Sequence, residues 1–157
     1  MTRRASQSAL CGALAFLLLW VCAQGAETRL GVGGCWGVTP TNFSLVGGAV
    51  RGELLSKGKS ALVEGTILQD LRADDWVLYL DGALLLYFES SYLGVGMGWA
   101  RWEDASGRDR GVWSHVYLKL LGGHNLTLFS LPVYVQVNVT LGEWSWPQPA
   151  VTVGIWF

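Results

Sequence analysis

The sequence predicts a mostly β fold: one antiparallel β-sandwich domain preceded by a single N-terminal apolar helix. Residues 133–141 alternate at a strict period of two, with valines and a leucine on one face and polar residues on the other. Residues 112–121 alternate in the same way, and glycine-rich stretches separate the apolar runs. Beyond residue 30 no segment shows a long period of 3.6 residues, so we expect short strands joined by turns.

The individual strands follow from the turn signals between them. Asp81-Gly82 separates two apolar runs at 76–80 and 83–88, a pattern that favours a β-hairpin because both turn positions require a positive φ. Gly122-Gly123 is expected to end the preceding strand, with a short β-prone segment at 125–129 after it. The polar stretch 101–110 is predicted to be an exposed loop.

Composition limits the classes of protein that fit. The chain has 157 residues, of which 51% are hydrophobic and 15% charged, so one folded domain is expected and disorder is excluded. Eleven basic and twelve acidic residues give a formal net charge of −1, and no basic stripe is visible. Nucleic acid is therefore not an expected partner.

The N-terminus carries an export signal. Arg3 and Arg4 precede an uncharged apolar run at 9–23, an arrangement that keeps the basic flank in the cytosol and translocates the rest. Ala23-Gln24-Gly25 suits cleavage as a signal peptide, whereas retention would give a short type II membrane anchor. The predicted boundaries are a cytosolic tail at 1–8, a signal anchor or signal peptide at 9–25, and a luminal β-sandwich domain at 26–157.

Three sequons, at Asn42, Asn125 and Asn138, agree with a luminal or extracellular address. Asn138 is the best placed of the three, because it lies on the polar face of the cleanest predicted strand. The valine face of that strand is expected to be buried, so Asn138 is predicted to point to solvent, where a glycan would clear the core.

Cysteines and catalytic groups are sparse. Cys11 and Cys22 lie in the apolar run, so Cys35 is the single cysteine of the following domain, where we expect it to be a small buried apolar residue. No disulfide can form within that domain.

Neither His115 nor His124 lies in a metal-ligand pattern. Ser114 beside His115 forms no dyad, because neighbouring strand residues point to opposite faces. The acidic pairs Asp74/Asp75 and Glu103/Asp104 are expected to be solvated. The domain is predicted to be non-catalytic, with no cofactor and no metal.

The order of motifs resembles the signal peptidase complex subunit 3 family over most of the chain. The resemblance rests on a basic tail, several β segments, a Trp-acid step and a closing sequon strand. These are Arg3-Arg4-Ala5-Ser6, residues 66–71, Asp75-Trp76, residues 83–88 through Tyr92, Trp102-Glu103, residues 138–141, Trp144 or Trp146, and Pro149. The extra Asp81-Gly82 step and Leu131-Pro132-Val133 depart from the family pattern.

The resemblance implies a non-catalytic accessory subunit of the endoplasmic reticulum signal peptidase complex. Such a subunit is a single-pass type II membrane protein whose luminal domain packs on the catalytic and other accessory subunits. Trp99, Trp102 and Trp113 are the candidate residues for that interface, since tryptophan is enriched at binding hot spots.

Two alternatives belong to other classes. One is a secreted N-glycosylated β-sandwich binding module from which the signal peptide has been removed. The other is a carbohydrate-binding sandwich that uses tryptophan platforms. Cleavage or retention of the N-terminal apolar segment separates the secreted alternative from the membrane subunit.

Overall fold

The structure, a computed structural model, describes residues 27–38, 44–71, 76–103, 115–142 and 147–157. These residues form eight β-strands of 9 to 14 residues. The strands are β1 (Glu27–Val38), β2 (Ser44–Ser56), β3 (Lys59–Asp70), β4 (Trp76–Phe88), β5 (Ser91–Glu103), β6 (His115–Leu128), β7 (Leu131–Leu141) and β8 (Gln148–Trp156).

The eight strands close into an antiparallel barrel. Each strand pairs with the next along the chain, and β1 also pairs with β8, with Gly34 opposite Val153. The β1–β8 pairing leaves no free sheet edge. The prediction of a β-sandwich is therefore wrong, because a sandwich requires two separate sheets packed face to face.

The predicted N-terminal apolar helix lies at 9–25, outside the described residues. Within the part of the chain that the structure describes, no helix is long and apolar enough to span a bilayer. That finding does not bear on strands.

The two ends of the barrel differ in their connections. At one end, which we call the short-turn end, two-residue turns join neighbouring strands at Lys57-Gly58, Glu89-Ser90 and Phe129-Ser130. The connections at the other end, 39–43, 72–75, 104–114 and 143–146, lie outside the described residues. We call this second end the loop end.

Two predicted breaks fall inside continuous strands. Asp81-Gly82 lies in the middle of β4, where Asp81 is opposite Glu64 on β3 and Gly98 on β5. Gly122-Gly123 lies within β6, opposite Leu93 and Tyr92 of β5. Both predictions were wrong because ladders on both sides hold these residues extended, and that outweighs the local preference for a turn. The predicted loop at 101–110 begins within β5, which continues to Glu103, and its other residues lie outside the description.

The alternation of apolar and polar residues was predicted correctly, but the prediction of which face is buried was wrong. In β7 the side chains of Tyr134, Gln136 and Asn138 are buried, whereas Val137 is 51% exposed. Asn138 is 6% exposed and points into the barrel, so the predicted solvent-facing position is wrong. The valine face is the outer face of the barrel.

Glycines on the inner face make room for aromatic rings. A Cβ at Gly123 would lie 2.3 Å from Tyr92, and one at Gly154 would lie 2.5 Å from Tyr134. A Cβ at Gly98 would lie 2.6 Å from the Tyr117 hydroxyl. An eight-stranded barrel has an interior just wide enough to be filled by side chains, so small residues must face large ones.

Candidate functional site: an apolar belt around a charged interior

The outer surface of the barrel carries a continuous band of exposed apolar side chains, which we call the outer belt. Its members occupy outward positions on all eight strands. They are Leu30, Val32, Trp36, Val46, Val50, Ile67, Trp76, Leu78, Leu80, Leu84, Leu86, Phe88, Leu93, Val95, Val116, Leu118, Leu120, Leu128, Leu131, Val137, Leu141 and Val153.

Charged residues on the outward register are confined to strand ends. Lys59 begins β3 at the short-turn end, whereas Arg101 and Glu103 end β5 at the loop end. Between these levels the outward positions of the described strands carry no charge. A patch of this extent is far larger than soluble monomers expose.

Aromatic residues lie at both margins of the belt. Trp36 and Trp76 are exposed at the loop end of β1 and β4, and Trp99 is half-buried near the loop end of β5. Phe88 and Phe157 are exposed at the short-turn end. Two aromatic girdles flanking an apolar band are typical of barrels whose outer face contacts lipid.

The interior is charged, and its best-defined part is the Lys119 cluster. The Lys119 ammonium donates to Glu64 Oε1 at 2.6 Å and to both Asp81 oxygens, at 2.9 and 3.0 Å. The Tyr117 hydroxyl donates to Asp81 Oδ2 at 2.7 Å. These side chains come from β3, β4 and β6, so the cluster ties together strands that are not all neighbours in the sheet.

A second interior group surrounds Arg51 on β2. Arg51 Nη1 donates to Gln136 Oε1 at 3.0 Å and lies 3.8 Å from Glu64 Oε2. The guanidinium carbon is 4.4 Å from the ring centre of Tyr134 and 4.7 Å from that of Trp156. A buried arginine is thus held by a hydrogen bond, an ion pair and ring contacts, while its Nε and Nη2 atoms have no hydrogen-bond partner among the described residues.

A third group lies nearer the short-turn end. Arg29 Nη2 donates to Glu53 Oε2 at 2.9 Å, and the Tyr87 hydroxyl donates to Glu53 Oε1 at 2.7 Å. Ser60 also donates to Glu53, and Arg29 also contacts the Tyr87 hydroxyl. Glu53 is therefore surrounded by donors although its side chain is fully buried.

Toward the loop end the interior becomes less charged and contains a cavity of about 30 Å³, enough for a water molecule or two. Cys35 lines it, buried, and accepts a weak hydrogen bond from Thr152 at 3.4 Å. Beside the cavity, the Tyr79 hydroxyl donates to Gln148 Oε1 at 2.9 Å. Among the described residues, no group of three His, Cys, Asp or Glu side chains is placed to hold a metal ion.

Of the three tryptophans predicted to form a partner interface, the structure describes the strand positions of two. Trp99 is on the outer face of β5, Trp102 is a strand residue near the end of β5, and Trp113 lies outside the described residues. Asn42 is also outside them. Asn125 is partly buried and accepts a hydrogen bond from Trp156 Nε1 at 2.9 Å. The use of the three sequons stays a prediction.

The two histidines are far apart along β6. His115 begins the strand at the loop end, whereas His124 is exposed near the short-turn end and pairs with Ser91 Oγ at 2.9 Å. Asp74/Asp75 and Asp104 lie outside the described residues, and Glu103 ends β5.

No family model and no curated protein matches the chain, whereas solved structures do match it. Neisserial surface protein A aligns with a TM-score of 0.67 at 12% identity, over 84% of this chain and 97% of that one. The N-terminal β-barrel domain of Pseudomonas aeruginosa OprF aligns with a TM-score of 0.53 at 11% identity, over 84% of this chain and 99% of that one. These similarities establish the fold as an eight-stranded barrel.

The barrel and its neighbours overturn the functional predictions from sequence. The resemblance to signal peptidase complex subunit 3 is wrong, because its expected sandwich is absent and the similar structures are single barrels. The predictions of signal peptidase partners and of a type II location in the endoplasmic reticulum membrane are wrong for the same reason. Neither the secreted sandwich module nor the carbohydrate-binding sandwich is supported, because both assumed the same wrong fold.

The buried charges of the three interior groups were not predicted from the sequence; they include Arg51, Glu53, Glu64, Asp81 and Lys119. Each of them alternates with apolar neighbours on its strand, as Lys119 does between Leu118 and Leu120. One signal could have revealed these buried charges. Charged residues recur on the polar faces of several strands, and the opposite faces of the same strands are apolar, as lipid contact requires.

Proposed function

We propose that this protein is an integral membrane β-barrel of the outer-membrane type, inserted with its outer belt against the lipid chains. The observation that carries the proposal is the inverted distribution of polarity. Large apolar side chains are exposed on every strand, while Arg51, Glu64, Asp81 and Lys119 are buried inside. A water-soluble barrel would have the opposite arrangement, whereas lipid favours this one.

Strand length and closure support the same proposal. The strands have 9 to 14 residues, enough to cross a bilayer when tilted. Closure pairs the backbone groups of every strand on both sides, as the hydrocarbon region requires. The cleavable form of the N-terminal apolar segment would supply the export signal such a protein needs.

Side chains fill the described interior, which leaves little space for a wide pore. We therefore favour a structural role, or a role at the membrane surface, over transport through a wide pore. Ion pairs and aromatic rings of the three interior groups occupy the middle and the short-turn side of the barrel. We keep the prediction that the protein is not an enzyme as part of this proposal, together with the absence of a nucleic-acid partner.

The proposal is tested by refolding the full chain into phosphatidylcholine vesicles and comparing unheated and boiled samples on an SDS gel. We expect the unheated protein to migrate at a different position from the boiled protein, because a closed barrel resists unfolding by SDS until it is heated. Flotation alone would not decide the matter, since residues 9–25 could also bind lipid.

Leu120→Arg is the matched variant for this test. It places a charge in the outer belt, so it should reduce the fraction of protein in the separate unheated band, whereas Leu120→Ile should leave that fraction unchanged. Identical migration of unheated and boiled parent protein would contradict the proposal.

A further inference from the structure

We infer that the tip of the β6–β7 hairpin, residues 127–132, is a lipid anchor in the interfacial layer of the bilayer at the short-turn end. This inference rests on the proposed function and extends it from the barrel wall to one turn. We call residues 127–132 the hairpin tip.

The hairpin tip extends beyond the neighbouring strands. The pairing of β5 with β6 ends at Ser91 and His124, and the pairing of β7 with β8 begins at Val133 and Ile155. Thr127 pairs with Pro132 and Leu128 with Leu131, within the hairpin alone. Among the described strands, none covers either side of the tip.

The apex is apolar and held in an unusual backbone conformation. Phe129 is 93% exposed and has a φ of 49°, and Ser130 has a φ of 67°. Two positive φ values normally select Gly, Asn or Asp, and a bulky residue there is an outlier. Lys57 and Glu89 in the other turns also have a positive φ, so what distinguishes Phe129 is a large apolar side chain that no described residue covers.

The other turns at the same end are polar. Lys57-Gly58 is followed by Lys59, and Glu89-Ser90 is followed by Ser91. The hairpin tip contains no charged residue, and Leu128 and Leu131 are both about half exposed on its outer side. Among the three turns at this end, an apolar apex is therefore a property of the hairpin tip alone.

Continuity with the outer belt identifies the occupant as lipid. Every outward residue of β7 from Leu131 to Leu141 is apolar, without interruption. Ten residues at about 3.4 Å each, tilted by about 40°, give a height of about 26 Å, close to the roughly 25 Å apolar band of such barrels. Leu131 thus lies at the margin of the band, and Phe129 lies just beyond it among the headgroups, where aromatic rings are favoured.

The test measures depth with nitroxide labels on the full chain, with Cys11, Cys22 and Cys35 replaced by serine, in dioleoylphosphatidylcholine vesicles. Labels are attached at Ser130→Cys in the tip, at Glu89→Cys in a control turn and at Val137→Cys in the belt. Relaxation by oxygen, which concentrates in lipid, is compared with relaxation by a water-soluble nickel complex. The heat-dependent mobility shift of each variant verifies that it has folded.

We expect the nickel complex to reach the Ser130 label several-fold less than the Glu89 label, with the Val137 label the most protected. Phe129→Asn keeps the left-handed turn, because Asn tolerates that conformation. This second substitution should raise nickel accessibility at Ser130 to the level of Glu89.

The outcomes separate the two proposals. A water-accessible Val137 label would overturn the proposed function and the anchor together. A protected Val137 label with Ser130 as accessible as Glu89 would overturn the anchor alone and leave the tip in water, where a protein partner would have to cover it. If Phe129→Asn left the nickel accessibility of the Ser130 label unchanged, the inference would also be overturned, because the phenylalanine would then not hold the tip in the bilayer.

Discussion

Removal of the Lys119 ammonium is the most informative perturbation of the interior. Lys119→Met keeps most of the side-chain volume but leaves Glu64 and Asp81 without the cation that lies 2.6 and 2.9 Å from them. All three side chains are almost fully buried. The cavity of about 30 Å³ that these side chains also line has space for only a water molecule or two, which is too little to hydrate both carboxylates in place of the ammonium.

The expected magnitude follows from what remains around the carboxylates. Removing one partner of a buried ion pair typically costs about 3–5 kcal/mol. Asp81 keeps its hydrogen bond from Tyr117, and Glu64 keeps Arg51 at 3.8 Å, so we expect the lower end of that range. A loss of about 3 kcal/mol corresponds to a decrease of roughly 100-fold in the folding equilibrium constant.

The assay is reversible urea unfolding from phosphatidylcholine vesicles, followed by the fluorescence of the tryptophans. Lys57→Met is the matched control, because it removes an exposed lysine from a turn and should change the free energy of unfolding by about 0.5 kcal/mol or less. The double variant Lys119→Met, Asp81→Asn should regain most of the loss, because the one remaining carboxylate, Glu64, keeps its ion pair with Arg51.

A free energy of unfolding for Lys119→Met within 1 kcal/mol of the parent would refute this reasoning. It would mean that water enters the barrel and solvates the two carboxylates. A double variant as unstable as the single one would instead locate the effect in packing, not in charge.

Two further substitutions test the outer and inner faces by the same unfolding assay. Val137→Arg places a charge on the exposed face of β7 and should lower the free energy of unfolding in lipid by about 2–4 kcal/mol. Val137→Leu is the control and should be nearly neutral. Equal stability of the two variants would contradict lipid contact at this position. Gly98→Ala puts a Cβ 2.6 Å from both Leu80 O and the Tyr117 hydroxyl and should lower the free energy of unfolding by about 1–3 kcal/mol. Gly65→Ala is the control, because its Cβ meets nothing within 4 Å and should be tolerated. Similar losses of stability at both sites would show that crowding on the inner face is not the cause.

The sequence was sufficient to predict strands but not their closure. The alternation in 133–141 and around 116–120 was confirmed because a period of two is a local property of an extended chain. Pairing of β1 with β8 joins residues more than 100 positions apart, such as Cys35 and Thr152. No local pattern contains that information, so a sandwich and a barrel predict the same strands.

The candidate site was missed because alternation does not state which face is inside. Val133 to Leu141 was assigned to a core and Asn138 to solvent, as hydrophobic burial in water requires. In β7 the reverse holds, and Gln136 and Asn138 are buried while Val137 is exposed. The assumption that water surrounds the domain produced the error, not the identification of the strand.

The charges themselves distinguish the two environments. On a soluble sandwich, Lys119, Glu64 and Asp81 would each be solvated separately on an outer face and would need no partner. Inside a barrel they must meet, and the register places Glu64 opposite Asp81 on adjacent strands, with Lys119 reaching both. Isolated charges of opposite sign at the centres of otherwise apolar strands are therefore the pattern that favours a closed barrel in lipid, because curvature of the closed sheet brings Lys119 on β6 to carboxylates on β3 and β4, strands with which β6 does not pair.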